Sequence, residues 1–142
     1  MEDPAHASRV LYLIATLSDL ARIREFVEEQ AIDLRIPAGE VPTLILAVDE
    51  AATNVIIHGY QRRGGPIEVE VGREEATFVV YLRDLAPVFD PTRVPPPDLS
   101  IPLFDRPPGG LGIHLMRQIM DELIHRPRPG GGNELIMLKR GM

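Results

Sequence analysis

The fold prediction starts from the segment Leu46–Tyr60, LAVDEAATNVIIHGY, because it combines an apolar helix pattern with a column of polar side chains. Its Ala, Val and Ile residues recur at spacings of three and four, which predicts a helix with one buried face. Glu50, Asn54 and His58 recur at every fourth position and would form a ridge beside that face, with Asp49 next to the first. Two interpretations of the ridge stay open: a solvated helix edge, or a site for a hard cation and an anion.

The chemistry of the ridge is compatible with a metal and phosphate site. An Asn carbonyl oxygen is a suitable ligand for Mg²⁺, which takes oxygen ligands and usually keeps several waters and substrate phosphates. A carboxylate one helical turn away can take a proton from an attacking hydroxyl or water. The ridge alone does not decide between the two interpretations, so the rest of the chain must.

The surrounding sequence predicts one α+β domain covering residues 1–142. The ridge helix is expected from about Pro42 to His58, with Gly59 as its C-terminal stop. The element order βα-α-ββ-loop-α-ββ indicates a two-layer sandwich, with helices on one face of a mostly antiparallel sheet. The other expected elements are strands near Arg9–Thr16, Ile67–Val71, Thr77–Arg83, Leu123–His125 and Glu134–Lys139, a helix over Asp19–Gln30 capped by Ser18, and a helix over Leu111–Leu123 with Leu111, Leu115, Met116 and Ile119 on one side.

A proline-rich segment interrupts these elements before the last helix. Eight of the chain's 14 prolines fall between Pro87 and Pro108. Proline lacks the backbone N–H that a sheet ladder or a helix interior needs, so we expect no helix or strand there. A loop of this length in a compact domain is usually a functional lid or a disordered insert, and we predict a lid over about Ala86–Gly109.

Composition narrows the compartment and the partners. The 142 residues include no Cys, carry a net charge of −6 and have a pI near 5.2. An acidic chain whose basic clusters are short is a poor general binder of nucleic acid. The lack of Cys, of a signal-peptide pattern and of an apolar run long enough to span a bilayer predicts a cytoplasmic protein without a membrane segment.

Two further features favour a ligand site. Asp84 ends a predicted strand in DLAPVFDP, where its carboxylate can accept a hydrogen bond from an exocyclic amine such as that of adenine. Gly109, Gly110 and Gly112 open the last helix in GGLGIHLM, where free backbone N–H groups and the helix dipole favour a phosphate. The glycines form neither a Walker A loop, because no Gly-Lys-Ser/Thr follows, nor a dinucleotide fingerprint, because no strand precedes them.

In this order, the motifs resemble those of small anti-sigma serine-protein kinases in the GHKL (Bergerat-fold) ATPase superfamily. DEAATNVIIHGY resembles the N box, DLAPVFDP the first glycine box, PLF a part of the lid, GGLGIHLMRQIMDE the second glycine box and GGNELIMLKR the closing strand. The resemblance covers nearly the whole chain and implies the histidine-kinase-like ATPase fold.

The resemblance also implies roles for individual residues. Glu50 would be the general base and Asn54 the Mg²⁺ ligand. Asp84 would read the adenine amino group, and the backbone around His58 would lie near the phosphates. The nucleotide-binding residues that the resemblance implies are Asn54, His58, Asp84, Ala86, Gly110, Leu111, Gly112 and Ile113.

The implied activity is that of a partner-switching protein kinase that uses ATP and Mg²⁺. It would phosphorylate a Ser or Thr of an anti-anti-sigma (STAS-domain) protein and sequester a sigma factor, and it would form a homodimer. The alternative is a binding module with a degenerate nucleotide pocket that acts by sequestration alone. A sensor histidine kinase fits poorly, because no long helix carries a phosphoacceptor His. His6, His114 and His125 are scattered and are interpreted as surface or packing residues.

The chain departs from the family pattern at three places. Ala86 stands where the first glycine box usually has Gly, so its Cβ is expected to narrow the adenine pocket or to forbid a positive φ, and Pro87 stiffens the same turn. Asn133 stands near the position where relatives often carry a nucleotide-contacting Thr. Arg93 and Arg106 lie in the lid, and neither aligns with a phosphate-contacting arginine.

Overall fold

A computed structural model describes residues 9–102 and 110–142 of the chain. Five strands form one antiparallel sheet in the order β1-β2-β3-β5-β4, and the helices pack on one face, which confirms the predicted α+β sandwich. The strands are β1 (Arg9–Ala15), β2 (Gly65–Glu74), β3 (Thr77–Asp84), β4 (Glu122–Pro127) and β5 (Asn133–Lys139), and the helices are α1 (Leu20–Asp33), α2 (Val41–Asn54) and α3 (Gly110–Ile119).

The core lies between the three helices and the inner face of the sheet. Alternate residues of the two longest strands face the helices, as the period of two in a strand requires. The apolar stripe of α2 is buried as predicted, and α2 packs between α1 and α3. The core residues of these three elements are Ile67, Val69 and Val71 of β2, Phe78, Val80 and Leu82 of β3, and Val41, Leu44, Ala47, Val48, Ala51 and Ala52 of α2.

The outer face of the sheet carries a charged cluster. Arg83 on β3 donates hydrogen bonds to the carboxylates of Glu68 (2.6 Å) and Glu70 (2.9 Å) on β2 and of Glu134 (2.7 Å) on β5. These side chains alternate with the buried ones, so the polar face and the apolar face of the sheet are both explained by strand periodicity.

The start of α1 differs from the prediction. A 3₁₀ turn, Leu17–Asp19, precedes the helix, and the backbone N of Thr16 donates to Asp19 Oδ2 at 2.8 Å in a capping box. Ser18 lies inside this turn, so its assignment as the cap is wrong. Thr16 is the capping residue instead, two positions before Ser18, and Asp19 completes the capping box.

The end of the ridge helix also differs from the prediction. The α-helical part ends at Asn54, and Val55–Gly59 forms a π turn in which the Tyr60 N–H donates to the Val55 carbonyl at 2.8 Å. Gly59 is not in the left-handed region, so it is not the glycine stop that was expected. The left-handed residues are Gln61 and Arg62, with φ of 53° and 64°.

The last helix is shorter than predicted. It ends at Ile119 because the following residues join the sheet, where the Asp121 N–H donates to Leu138 O at 2.8 Å and β4 begins one residue later. Its buried face also differs, since Ile113 is buried while Leu111 is 48% exposed. The sequence GLGIHLM allows either the face with Leu111 or the face with Ile113 to be buried. Packing against α2 buries the face with Ile113.

Residues 86–102 of the predicted lid are described, and they contain one short helical element. Asp90 accepts a hydrogen bond from the Thr92 N–H at 2.8 Å and caps the 3₁₀ turn Pro91–Arg93. The expectation of no helix is therefore wrong for this single turn, where proline occupies the first position that tolerates it. The rest of the PLF motif, Arg106 and Gly109 lie outside the described residues.

By length and composition alone, the continuous helix Val41–Gly59 is long and apolar enough to cross a membrane, a test that the buried core helix of a globular protein also passes. In the described structure its apolar stripe packs into the sandwich core.

Candidate functional site

A cavity of about 430 Å³ lies where the end of the ridge helix meets α3 and the ends of β3, β4 and β5. It is mostly apolar, with a few convergent polar groups, which is the usual composition of a small-molecule site. Its walls come from Ala51, Asn54, Val55, His58, Gly59, Leu82, Asp84, Ala86, Pro87, Val88, Phe89, Pro91, Ile113, Met116, His125, Asn133 and Leu135.

The cavity brings together five of the residues predicted from the sequence: Asn54, His58, Asp84, Ala86 and Ile113. They come from the ridge helix, from the segment at the end of β3 and from α3, so these three parts of the chain meet at one cavity. The lining does not include Glu50, Gly110, Leu111 or Gly112. Glu50 and Gly112 are next in sequence to Ala51 and Ile113, which do line it, and Gly110 and Leu111 lie in the same first turn of α3.

Glu50 and Gly112 touch each other across the contact between α2 and α3. A Cβ on Gly112 would overlap Glu50 Oε2, so glycine is required for the carboxylate to lie against the α3 backbone. Burial raises the pKa of Glu50, and the nearby charge of Asp49 raises this pKa further. Arg24 on α1 binds Asp49 at 2.7 Å, which holds that second carboxylate to one side. A carboxylate with a raised pKa is a better proton acceptor.

Asp84 is a buried carboxylate at the opposite part of the site. It is 3% exposed, and its Oδ1 accepts hydrogen bonds from the Ala86 N–H and from Asn133 Nδ2, each at 2.9 Å. Within the described chain, no hydrogen bond reaches Oδ2. Burial raises the pKa of Asp84, while the two hydrogen bonds and the charge of Arg128 act in the opposite direction.

His125 and Asn133 line the cavity. From the sequence, His125 was interpreted as a surface or packing residue, and Asn133 was singled out only as a departure from the family pattern. The His125 side chain is 4% exposed, lines the cavity and pairs through Nε2 with Asn133 Oδ1 at 2.7 Å. The expectation of a packing histidine therefore omits its contact with the cavity. The signal that could have found Asn133 is its strand register, since it pairs directly with Asp84.

Ala86 lines the cavity, and its side chain is buried. Its φ is not positive, so the glycine that relatives carry is not needed for backbone conformation here. Its buried side chain packs against Gly59, where a Cβ would lie only 2.8 Å from the Ala86 Cβ. The methyl group of Ala86 is therefore accommodated because Gly59 has no side chain.

Tyr60 ties the end of the ridge helix to the sheet. Its hydroxyl donates to Pro66 O at 2.6 Å and accepts from the Leu85 N–H at 2.7 Å. Gly65 must lack a Cβ because the Tyr60 ring occupies that space. These contacts fix the π turn relative to the β3 end that carries Asp84.

The first part of the lid is anchored to α3. Arg117 donates to the carbonyl of Val94 and, at 2.6 Å, to that of Pro91. Arg93 is 88% exposed and pairs with Asp90 at 3.5 Å, so it does not enter the cavity. Arg106 lies outside the described residues.

The donor set fits a metal only if a ligand supplies further oxygens. Across residues 9–102 and 110–142, no three His, Cys, Asp or Glu side chains cluster as a metal site. Asn54 lines the cavity and offers one oxygen ligand. Mg²⁺ is commonly bound through one or two protein ligands plus substrate phosphates and waters, so this arrangement fits Mg²⁺ that arrives with a nucleotide.

The sandwich fold and the convergence of the three motifs define a histidine-kinase-like ATPase domain. A profile of this family, described as histidine kinase-like ATPase domain, matches residues 13–139, and the chain belongs to that family. It is similar to proteins named serine-protein kinase RsbW from Bacillus cereus (strain AH187), Bacillus anthracis (strain A0248) and Bacillus thuringiensis (strain Al Hakam). Each is 28% identical over 127 residues, covering 87% of this chain and 73% of the relative. The expected family is thereby confirmed.

Proposed function

We propose that the protein is an ATP- and Mg²⁺-dependent serine/threonine-protein kinase and anti-sigma factor. It phosphorylates an anti-anti-sigma protein of the STAS type and sequesters a sigma factor in a partner-switching system. The observation that carries the proposal is the pair of residues one turn apart on α2. Asn54 lines the cavity, and Glu50 lies against the start of α3 with a raised pKa. A protein that only bound nucleotide would gain nothing from a proton acceptor at that place.

The base end of the proposed ATP site is the buried carboxylate of Asp84. With Oδ1 held by two hydrogen bonds, Asp84 can accept a hydrogen bond from the 6-amino group of adenine. The apolar walls formed by Leu82, Ile113 and Met116 suit the faces of a purine ring.

The phosphate end lies toward the start of α3. Gly110 and Gly112 lie in the first turn of α3, where unpaired backbone N–H groups and the helix dipole favour an anion, and the Glu50 carboxylate lies against Gly112 at the same end. Leu111 contributes its backbone rather than its exposed side chain. Asn54 and His58 line the cavity on the facing helix. Asn54 would bind Mg²⁺, which neutralises phosphate charge when it is bound.

The proposed chemistry needs little more than positioning and one proton acceptor. The acceptor Ser or Thr hydroxyl oxygen forms a bond to the γ-phosphorus, and the bond from that phosphorus to the β–γ bridging oxygen breaks. The hydroxyl proton moves to the Glu50 carboxylate, and ADP leaves. Contact with Gly112 keeps the carboxylate at the α3 end of the site, where the phosphates are expected.

The partners and setting follow from the same proposal. The printed name of the relatives, serine-protein kinase, supports a protein acceptor. We infer a cytoplasmic protein that acts on a STAS-domain protein and a sigma factor, forms a homodimer and binds no nucleic acid directly. Sequestration without kinase activity is the alternative. It predicts that the partner is captured but not phosphorylated, and that changes at Glu50 alter neither result.

The test compares two substitutions on the same helix. Asn54→Ala should reduce the Mg²⁺-dependent affinity for ADP and also reduce transfer of labelled γ-phosphate from ATP to a STAS-domain acceptor. Glu50→Gln should leave ADP affinity and partner capture nearly unchanged while slowing transfer by roughly 10²–10⁴-fold, the usual contribution of a positioned base. Glu29→Gln, an exposed change on α1, is the control and should behave as wild type.

Two results would contradict the proposal. Wild-type protein that captures its partner but shows no heat with millimolar ADP and Mg²⁺ would leave sequestration alone. Transfer by Glu50→Gln at the wild-type rate would show that Glu50 is not the base, while leaving the nucleotide site in place.

A further inference from the structure

Asn133 is the most highly connected side chain in the cavity wall. Its Nδ2 donates to Asp84 Oδ1 (2.9 Å), Ala86 O (3.4 Å) and Pro87 O (3.2 Å). Its Oδ1 accepts from the Phe89 N–H (2.9 Å). Since Asn133 is only 7% exposed, these bonds fix its orientation in the cavity wall.

The partners of Asn133 determine which way its amide points. A carboxylate and two carbonyl oxygens only accept, so the NH₂ group must face them, and the Phe89 N–H only donates, so it must face Oδ1. His125 Nε2 lies 2.7 Å from the same Oδ1 and must therefore carry a hydrogen. His125 thus locks the amide in the one orientation that offers donors to Asp84.

We propose that Asn133, locked by His125, is a specificity-determining positioning residue that turns Asp84 into a selective acceptor for purines with a 6-amino group. The inference rests on the proposed nucleotide site. Asn133 and the Ala86 N–H occupy Asp84 Oδ1 from two sides, which leaves Oδ2 for the ligand. A purine with a carbonyl at position 6 would present an oxygen to this carboxylate, and two acceptors facing each other repel.

His125 and Asn133 also lie next to the start of the lid. His125 Nδ1 lies 3.9 Å from Asp90 Oδ2, and Asp90 caps the 3₁₀ turn through Thr92. Asn133 holds the same stretch of chain through the Phe89 N–H. Asn133 therefore links the Asp84 carboxylate to the first lid residues, which Arg117 also anchors to α3.

The experiment measures the ratio of dissociation constants for IDP and ADP by calorimetry with Mg²⁺. Diphosphates avoid turnover, and the two ligands differ at position 6, so a general loss of binding does not change the ratio. Wild type should prefer ADP by about tenfold or more, as expected for a hydrogen bond to a charged group. Asn133→Leu should reduce the ratio to about threefold or less.

Two variants at His125 separate positioning from packing. His125→Gln can place an amide N–H where Nε2 lies and should keep most of the preference, whereas His125→Leu has no donor and should lose it. Arg126→Gln changes the exposed neighbour in β4 and should retain the wild-type ratio. If Asn133→Leu does not fold, the two His125 variants still decide the question.

The outcomes distinguish this inference from the proposed function. Wild type that binds ADP and IDP equally, or Asn133→Leu or His125→Leu that keeps the wild-type ratio, would overturn the inference and leave the nucleotide site intact. Wild type that binds neither ligand would overturn both. An IDP/ADP ratio that falls with Asn133→Leu and is preserved with His125→Gln would support the inference.

Discussion

The packing of Gly59 against Ala86 can be tested by a double-mutant cycle. Gly59→Ala places two methyl carbons 2.8 Å apart, roughly 0.7–1.2 Å closer than an optimal carbon–carbon contact. Overpacking of this kind costs about 1–3 kcal/mol. Because Gly59 is not left-handed, the substitution also removes unfolded-state entropy, a gain of about 0.4–1 kcal/mol. The net loss in wild-type background should be about 1–2 kcal/mol.

In the Ala86→Gly background the clash is absent, so Gly59→Ala should be neutral or stabilising. Urea unfolding followed by circular dichroism, on wild type, both single variants and the double variant, gives the coupling energy, expected at about 1–3 kcal/mol. A coupling below about 0.5 kcal/mol would refute the reasoning, since it would mean that the two positions do not share space. ADP affinity measured on the same four proteins reports whether the cavity wall moves.

Three other predictions concern the base and its surroundings. Asp49→Asn removes a charge that raises the pKa of Glu50, so the acidic limb of the pH–rate profile for transfer should move to lower pH; an unmoved limb would exclude that coupling. Because the pKa of Glu50 is raised in the folded state, Glu50→Gln should raise the melting temperature at neutral pH, and this gain should vanish as the pH falls through the folded pKa to below 4.5; a pH-independent gain would contradict the assignment. Gly112→Ala displaces the Glu50 carboxylate and should slow transfer roughly 10²-fold while keeping the ADP/IDP ratio, and normal transfer would show that the contact is not needed.

The sequence predicted best those features that local periodicity reports. In the predicted stripe of Leu44, Ala47, Val48, Ala51 and Val55, the first four residues are buried and Val55 is half-buried. Strands β1 and β5 begin and end within one residue of the expected positions. These positions follow from the need of each element to bury one face, which a window of a dozen residues is enough to show.

The features that were missed depend on contacts between distant segments. Gly59 packs against Ala86, and Tyr60 ties the π turn to Pro66 and Leu85. Nothing in the spacing of the ridge helix indicates these contacts. The end of α3 was missed because Glu122 pairs with Leu138, and sheet pairing overrides helix propensity. The pair of His125 and Asn133 is visible only once strand register is known.

The attachment of Arg117 to Pro91 and Val94 has a consequence for how ligands can be built for the cavity. The half of the cavity that surrounds Asp84 is bounded by chain already fixed to α3, so a nucleoside needs no reorganisation of residues 87–94 to dock. Aminopurine fragments without phosphates should therefore reach this half on their own, with an affinity that depends little on ionic strength. Salt and magnesium should matter only for compounds that also carry phosphates, which makes the two halves separable targets for fragment growth.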